Sequence, residues 1–147
     1  MEMTELLAGQ IGFALRNIKN NLDFIPDDKL DWKPAPKANS VLEIVNHVAG
    51  SIYGITEVMT GSGMKPNFTP AVNREDAKSL LQNGVDGYIA ALRGLKPQDM
   101  GRTVQLPIGD LPLGAAAGVP VVELINHHGQ ITYIQTLLGD DESHLVM

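Results

Sequence analysis

Apolar residues return every three or four positions through most of this chain, and prolines and glycines cut those runs apart. That spacing lines one face of an α-helix and leaves the opposite face polar, so the chain must bury several helical stripes against one another. The first stripe is Leu7, Ile11, Ala14, Ile18, Leu22 and Ile25. It predicts a helix from Thr4 to Leu22, with Thr4 as cap and Pro26 closing it, because proline disfavours helical backbone at the residue before it.

From Pro26 to Asn39 the prolines at 26, 34 and 36 forbid a regular helix, and Trp32 is expected to plug the bundle from this connector. Ser40 and Glu43 form a capping box that opens a second helix. Its stripe is Val41, Val45, Val48, Ile52, Ile55 and Met59, and Gly61-Ser62-Gly63 stops it. Asn73, followed by Glu75 and Asp76, starts a third helix with an inner face of Leu81, Val85, Tyr88, Leu92 and Leu95. Gly84 and Gly87 weaken it and are expected to permit close packing. Between Lys96 and Gly118 glycine and proline are too dense for helix, although Thr103–Leu106 and the turn Ile108-Gly109-Asp110 could form a short hairpin. Pro120 is suited to the first position of a fourth helix that ends at Gly139. The expected fold class is therefore all-α: an antiparallel four-helix bundle forming a single domain over residues 1–147, with a Pro/Gly-rich segment before the last helix.

Net charge narrows the partners. With 11 basic against 17 acidic residues and no basic cluster, the chain gives a nucleic-acid backbone little to bind. No apolar run approaches the roughly 20 residues needed to span a bilayer, and the first residues lack a basic signal-peptide start, so a cytoplasmic protein is expected. The absence of cysteine removes disulfides, thiolate metal sites and a cysteine nucleophile. No Gly-rich phosphate loop, serine nucleophile elbow or His-Glu-x-x-His run is present either. The acidic pairs Asp27-Asp28 and Asp140-Asp141 fall in loops, where such residues are most often solvated.

Of the four histidines, three (His47, His127 and His128) lie within predicted helices. At about 100° per residue His127 projects close to the centre of its helix's apolar stripe and so points inward. Glu123, one turn earlier, stacks on the same face, and the pair offers an imidazole nitrogen and a carboxylate oxygen to a common ion. His47 would complete a set of three, the number of protein ligands a catalytic zinc site uses while leaving a position open. Local chemistry leaves alternatives standing. His47 lies roughly 120° from its own stripe and could be a flanking surface residue. Glu123 could serve the start of a helix at Pro120 by meeting the helix dipole. His128 lies on the other flank and suits a packed or supporting role. An internal echo, Val41–His47 against Val121–His127, places the two candidate ligand histidines at the same point of a repeated segment.

Two segments carry a resemblance to a known family. One is Ile25-Pro26-Asp27-Asp28-Lys29-Leu30-Asp31-Trp32-Lys33-Pro34 running into Ser40–His47; the other is His127-His128-Gly129-Gln130-Ile131, continuing to Tyr133 and Leu137-Leu138-Gly139. With the helix spacing between them, the chain resembles the DinB-like (DinB/YfiT-type) family of four-helix bundles. The resemblance implies an up-down-down-up bundle, frequent homodimers and a divalent metal ion (zinc, nickel, iron or manganese) held by His47, Glu123 and His127, with His128 and Gln130 supporting them. It implies a small-molecule substrate, in some members with a low-molecular-weight thiol, and hence a metal-dependent hydrolase or a thiol-dependent transferase. The family usually has a histidine four residues before its last one, and this chain has Glu123 there. A His/Glu/His set is chemically sound, with one positive charge fewer than three histidines would leave and thus a weaker Lewis acid. The alternative is a decayed site in a non-catalytic bundle that binds a small ligand or a stress-associated partner.

Overall fold

The computed structural model describes residues 2–147. Four helices form, α1 (Met3–Leu22), α2 (Val41–Thr60), α3 (Arg74–Gly94) and α4 (Leu113–Leu137), with a hairpin of β1 (Thr103–Leu106) and β2 (Gly109–Pro112) before the last. Each helix start follows from a local cause where one exists. The Ser40 hydroxyl accepts the Glu43 amide at 3.2 Å while a Glu43 carboxylate oxygen accepts the Ser40 amide at 2.9 Å, and Asn73 Oδ1 accepts the Asp76 amide at 2.8 Å. Gly61 ends α2 with φ of +91°, a conformation an L side chain would resist. Thr4, in contrast, is not a cap: α1 begins at Met3 and Thr4 is buried within its first turn.

The larger departure is α4, which starts at Leu113 and carries Pro120 inside it. Propensity argues against this, and packing overrides it. Leu113, Ala116 and Ala117 are fully buried, and a Cβ on Gly114 would sit 3.4 Å from both the Met100 carbonyl and the Met3 side chain, so this extra stretch of helix occupies a slot that larger residues would not fit. Its first amides are not orphaned, since Leu113 N–H donates to Arg102 O at 2.8 Å and Gly114 N–H to Met100 O at 2.9 Å. In the turn that Pro120 disturbs, the buried Tyr88 hydroxyl donates to the Ala117 carbonyl. Burial of that phenol raises its pKa far above the ordinary value.

Helix α1 packs on α3 and α4, and α2 packs on the same two, which leaves α1 and α2 across a diagonal. Direction follows from named contacts. Asn46 reaches Ala71 and Tyr53 reaches Leu80, so α2 and α3 run parallel. A Cβ on Gly118 would lie 4.0 Å from Leu7, and Asn21 bonds Gln135, so α1 and α4 also run parallel. Arg93 meets Glu5 while Lys19 meets Gln82, and these two contacts set the two parallel pairs antiparallel to each other. The order is up-down-down-up. Gly84 fits the expected close approach, for a Cβ there would be 2.6 Å from the Tyr53 ring; at Gly87 nothing comes within 4 Å, so that glycine is not a packing requirement. Trp32 is half-buried and packs on the core. The acidic loops are more engaged than expected: Asp27 pairs with Arg74 and Asp140 with His144. No helix among the described residues is long and apolar enough to cross a membrane.

Candidate metal centre

Helices α2 and α4 lie side by side in opposite directions, and the echoed segments bring His47 and His127 to the same level. His47 is 57% exposed at its side chain, as its distance from the apolar stripe requires, yet its Nε2 lies 3.2 Å from Glu123 Oε2. The flank of α2 that carries it faces α4 across a shallow seam. Glu123 cannot be a helix-start residue, because α4 begins at Leu113 and Glu123 stands nearly three turns inside it. The early start of α4 therefore removes the capping alternative for this carboxylate.

His127 is buried, with Nδ1 2.8 Å from the main-chain oxygen of Glu123 and 3.6 Å from its Oε2. A carbonyl only accepts, so Nδ1 carries the proton and the Nε2 lone pair is left for other use. Metal-binding histidines are commonly oriented in this way. The rings of His47 and His127 lie 4.8 Å apart and are tilted by 39°.

One donor atom from each of His47, Glu123 and His127 lies within 4.8 Å of the others. Bonds of about 2.0–2.2 Å in a tetrahedral set separate donors by roughly 3.5 Å, so the group closes on an ion with a shift of about 1 Å. The exposed His47 side chain is free to supply that shift. Two imidazole nitrogens and one carboxylate oxygen are a donor set suited to zinc, nickel, iron or manganese. The residues present thus fit a divalent ion.

His128 and Gln130 go elsewhere. His128 is half-buried on the α1 side of α4, where its Nε2 is 2.8 Å from Asn21 Oδ1; burial lowers its pKa. Asn21 in turn donates to Gln135 Oε1 at 2.7 Å. Gln130 is exposed on the outside of the bundle. The orientation expected of these two side chains is supplied to His127 by the Glu123 carbonyl.

A cavity of about 390 Å³ opens beside His47 and Glu123, with Ser51, one turn along α2, in its wall. Its far end is apolar, formed by Ile55 and Val119, by Met64 from the loop after α2, and by the hairpin turn Pro107–Ile108. The hairpin and Met64 were not legible as site residues. Ser51 carried a signal, since it stands four residues after His47 and so shares its helix flank.

The DinB superfamily model matches residues 11–131, so the chain belongs to the DinB superfamily. Among solved structures it is similar to a DinB-like protein, YjoA, from Bacillus subtilis, at 17% identity and a TM-score of 0.76, covering 97% of this chain and 96% of that one. It is similar also to YfiT from Bacillus subtilis, described as a probable metal-dependent hydrolase with an unusual four-helix bundle topology, at 19% identity and a TM-score of 0.78, covering 92% and 87%. A DinB-like protein from Bacillus cereus matches at 15% identity and a TM-score of 0.71, covering 92% of each chain. At such identities the likeness speaks for the fold. No curated protein matches the chain.

Proposed function

We propose that this protein is a metal-dependent hydrolase of small molecules, with His47, Glu123 and His127 holding one divalent ion. The observation that carries the reading is the convergence of these three side chains, two of which, His47 and Glu123, line an apolar cavity. A divalent ion in such a set polarises a carbonyl and acidifies water. The chain's own part is to orient the ligands through the Glu123 carbonyl, to limit the charge at the centre through the Glu123 carboxylate, and to seat the substrate where bulk water is reduced. In hydrolysis the oxygen of water bonds to the carbonyl carbon, the bond to the leaving nitrogen or oxygen breaks, and a proton of that water ends on the leaving group. The cavity wall carries no lysine or arginine to pair with the carboxylates of an anionic low-molecular-weight thiol. Hydrolysis is therefore put before thiol transfer.

Protein purified without a histidine tag should carry one equivalent of divalent metal, measured by elemental analysis, and His47→Ala and His127→Ala should each lose it. Metal-loaded protein should then hydrolyse members of a panel of small esters and amides. A protein that takes up no metal and whose thermal stability ignores added zinc, nickel and manganese would be the non-catalytic bundle instead.

A further inference from the structure

Beyond the candidate ligands, the cavity beside His47 offers nothing polar from its side chains. Ser51 belongs to its wall, but the hydroxyl oxygen is buried and is not presented to the open space. Ile55, Met64, Leu106, Ile108 and Val119 supply most of the rest. The room itself comes from α2, where Gly50 follows His47 and a Cβ added at that glycine meets nothing within 4 Å. Met64 limits it further along the helix. A Cβ on Gly54 would stand 2.9 Å from both Cγ and Cε of Met64, so Met64 takes the place that a side chain at 54 would fill. Gly54 lies on the same flank of α2 as His47, two turns or about 10 Å further on. At the rim, Ile108 is 74% exposed in a two-residue hairpin turn, a place where asparagine, aspartate or glycine is usual. Apolar surface left in water in this way is stabilised when another apolar group covers it.

We infer that this cavity is an acyl subsite whose length is set by Met64, and that the substrate class is a small ester or amide with an uncharged, unbranched aliphatic acyl chain. The inference rests on the hydrolase reading for the carbonyl, and adds which acyl group that carbonyl belongs to. Chain length follows from the seat of Met64. An extended chain covers about 1.2 Å per bond, so about 10 Å along α2 corresponds to an acyl chain of roughly six to eight carbons. About 390 Å³ is at the lower end of the roughly 300–1,000 Å³ of small-molecule sites, which admits such a chain and not a peptide. Neutrality follows from the wall, which holds no cation, and whose one anion, Glu123, belongs to the candidate ligand set. A charge carried into this space would lose water and gain no partner. Ile108 is the side chain that such a substrate would cover.

The test titrates straight-chain hydroxamates, from acetohydroxamate to decanohydroxamate, calorimetrically into the zinc-loaded protein. Affinity should rise about two- to fourfold per methylene and level off between roughly six and eight carbons. Met64→Ala, which opens the far end, should move that break to longer chains. Gly50→Leu, which fills the near end, should flatten the whole series. The half-hydroxamate of adipic acid, which ends in a carboxylate, should bind no better than acetohydroxamate. If acetohydroxamate binds and affinity does not grow with chain length, the subsite is overturned and the hydrolase reading stands. A break that ignores Met64→Ala overturns Met64 as the gauge, and an adipic probe that matches hexanohydroxamate overturns the neutral class. If no zinc binds, the hydrolase reading fails, and the subsite is then decided by hexanamide titrated into metal-free protein. Saturable NMR shifts at the Gly50, Gly54 and Ile108 amides, absent in Gly50→Leu, support the subsite; no shifts overturn it.

Discussion

His127 and His128 are neighbours in the chain, and the structure uses them in opposite ways. His127 faces α2, where its Nδ1 is held by a main-chain carbonyl and a ring nitrogen lies within 4.8 Å of donor atoms of Glu123 and His47. His128 faces α1, in a network that leaves little over: its Nε2 meets Asn21 Oδ1, the Asn21 amide meets Gln135, and the Gln135 amide reaches the Asp140 and Glu142 carbonyls of the C-terminal tail. A polar cluster whose members satisfy one another holds elements together. A cluster with donor capacity to spare, next to a cavity, is one that awaits a ligand.

The sharpest way to break this contrast is to delete each side in turn. His127→Ala should weaken zinc binding by several hundred-fold, since ligand sets of this kind contribute roughly 3–4 kcal/mol per ligand, while the metal-free protein should lose only about 1 kcal/mol for the buried ring removed. Asn21→Ala should do the reverse. It leaves His128 and Gln135 without their shared partner, and should lower unfolding free energy by about 3 kcal/mol in a denaturant titration, with zinc affinity unchanged. If the two variants gave the same pattern, the two clusters would be one system and the distinction would fall.

Glu123→Gln sharpens the comparison from within the metal side. The amide keeps the size of the side chain and removes its charge, so zinc affinity should fall about tenfold to thirtyfold, less than for His127→Ala, with stability within about 0.5 kcal/mol of native. An unchanged affinity would make Glu123 a bystander that merely pairs with His47.

Which side each histidine serves was only partly readable in the sequence, and the reasons differ by residue. Ser40, Glu43, Asn73 and Gly61 were legible because capping is decided within four residues. The hairpin was legible from its glycine, but its turn lies one step earlier than the spacing predicts, at Pro107–Ile108, and Gly109, with φ of +119°, opens β2. The inward aim of His127 followed from periodicity. The start of α4 did not, since Gly114, Gly118 and Pro120 read locally as breakers, and only contact with Met3, Leu7 and Met100 makes that stretch helical. That error carried forward: a helix starting at Pro120 made Glu123 look like a cap. The meeting of His47 with Glu123 depends on the register of α2 against α4, which is a tertiary property. So does the partnership of His128 with Asn21, 107 residues away.

The smallest effect belongs to the outer end of the satisfied network, where the tail is held. Asn17 grips Val146 twice, accepting its N–H at 2.8 Å and donating to its carbonyl at 3.1 Å, while His144 stacks on Phe24 and pairs with Asp140 at 2.9 Å. The His144 hydrogen bond holds the Asp140 carboxyl below its usual range, with the Glu142 amide adding to it. A carboxyl whose folded pKa is below its unfolded value contributes stability that is present above the unfolded value and lost as pH falls through the folded one. Hydrogen exchange at the Val146 amide, corrected for intrinsic rate, should therefore show protection that is steady at neutral pH and drops a few-fold on acidification below about pH 4, near the unfolded Asp pKa. Asp140→Asn should remove that acid step. Because this half-buried pair lies in the tail, outside the hydrophobic core, the change should stay local, leaving zinc affinity and the exchange of core amides in α2 as they were; a step that also appeared at those amides would mean that the tail and the metal side are coupled after all.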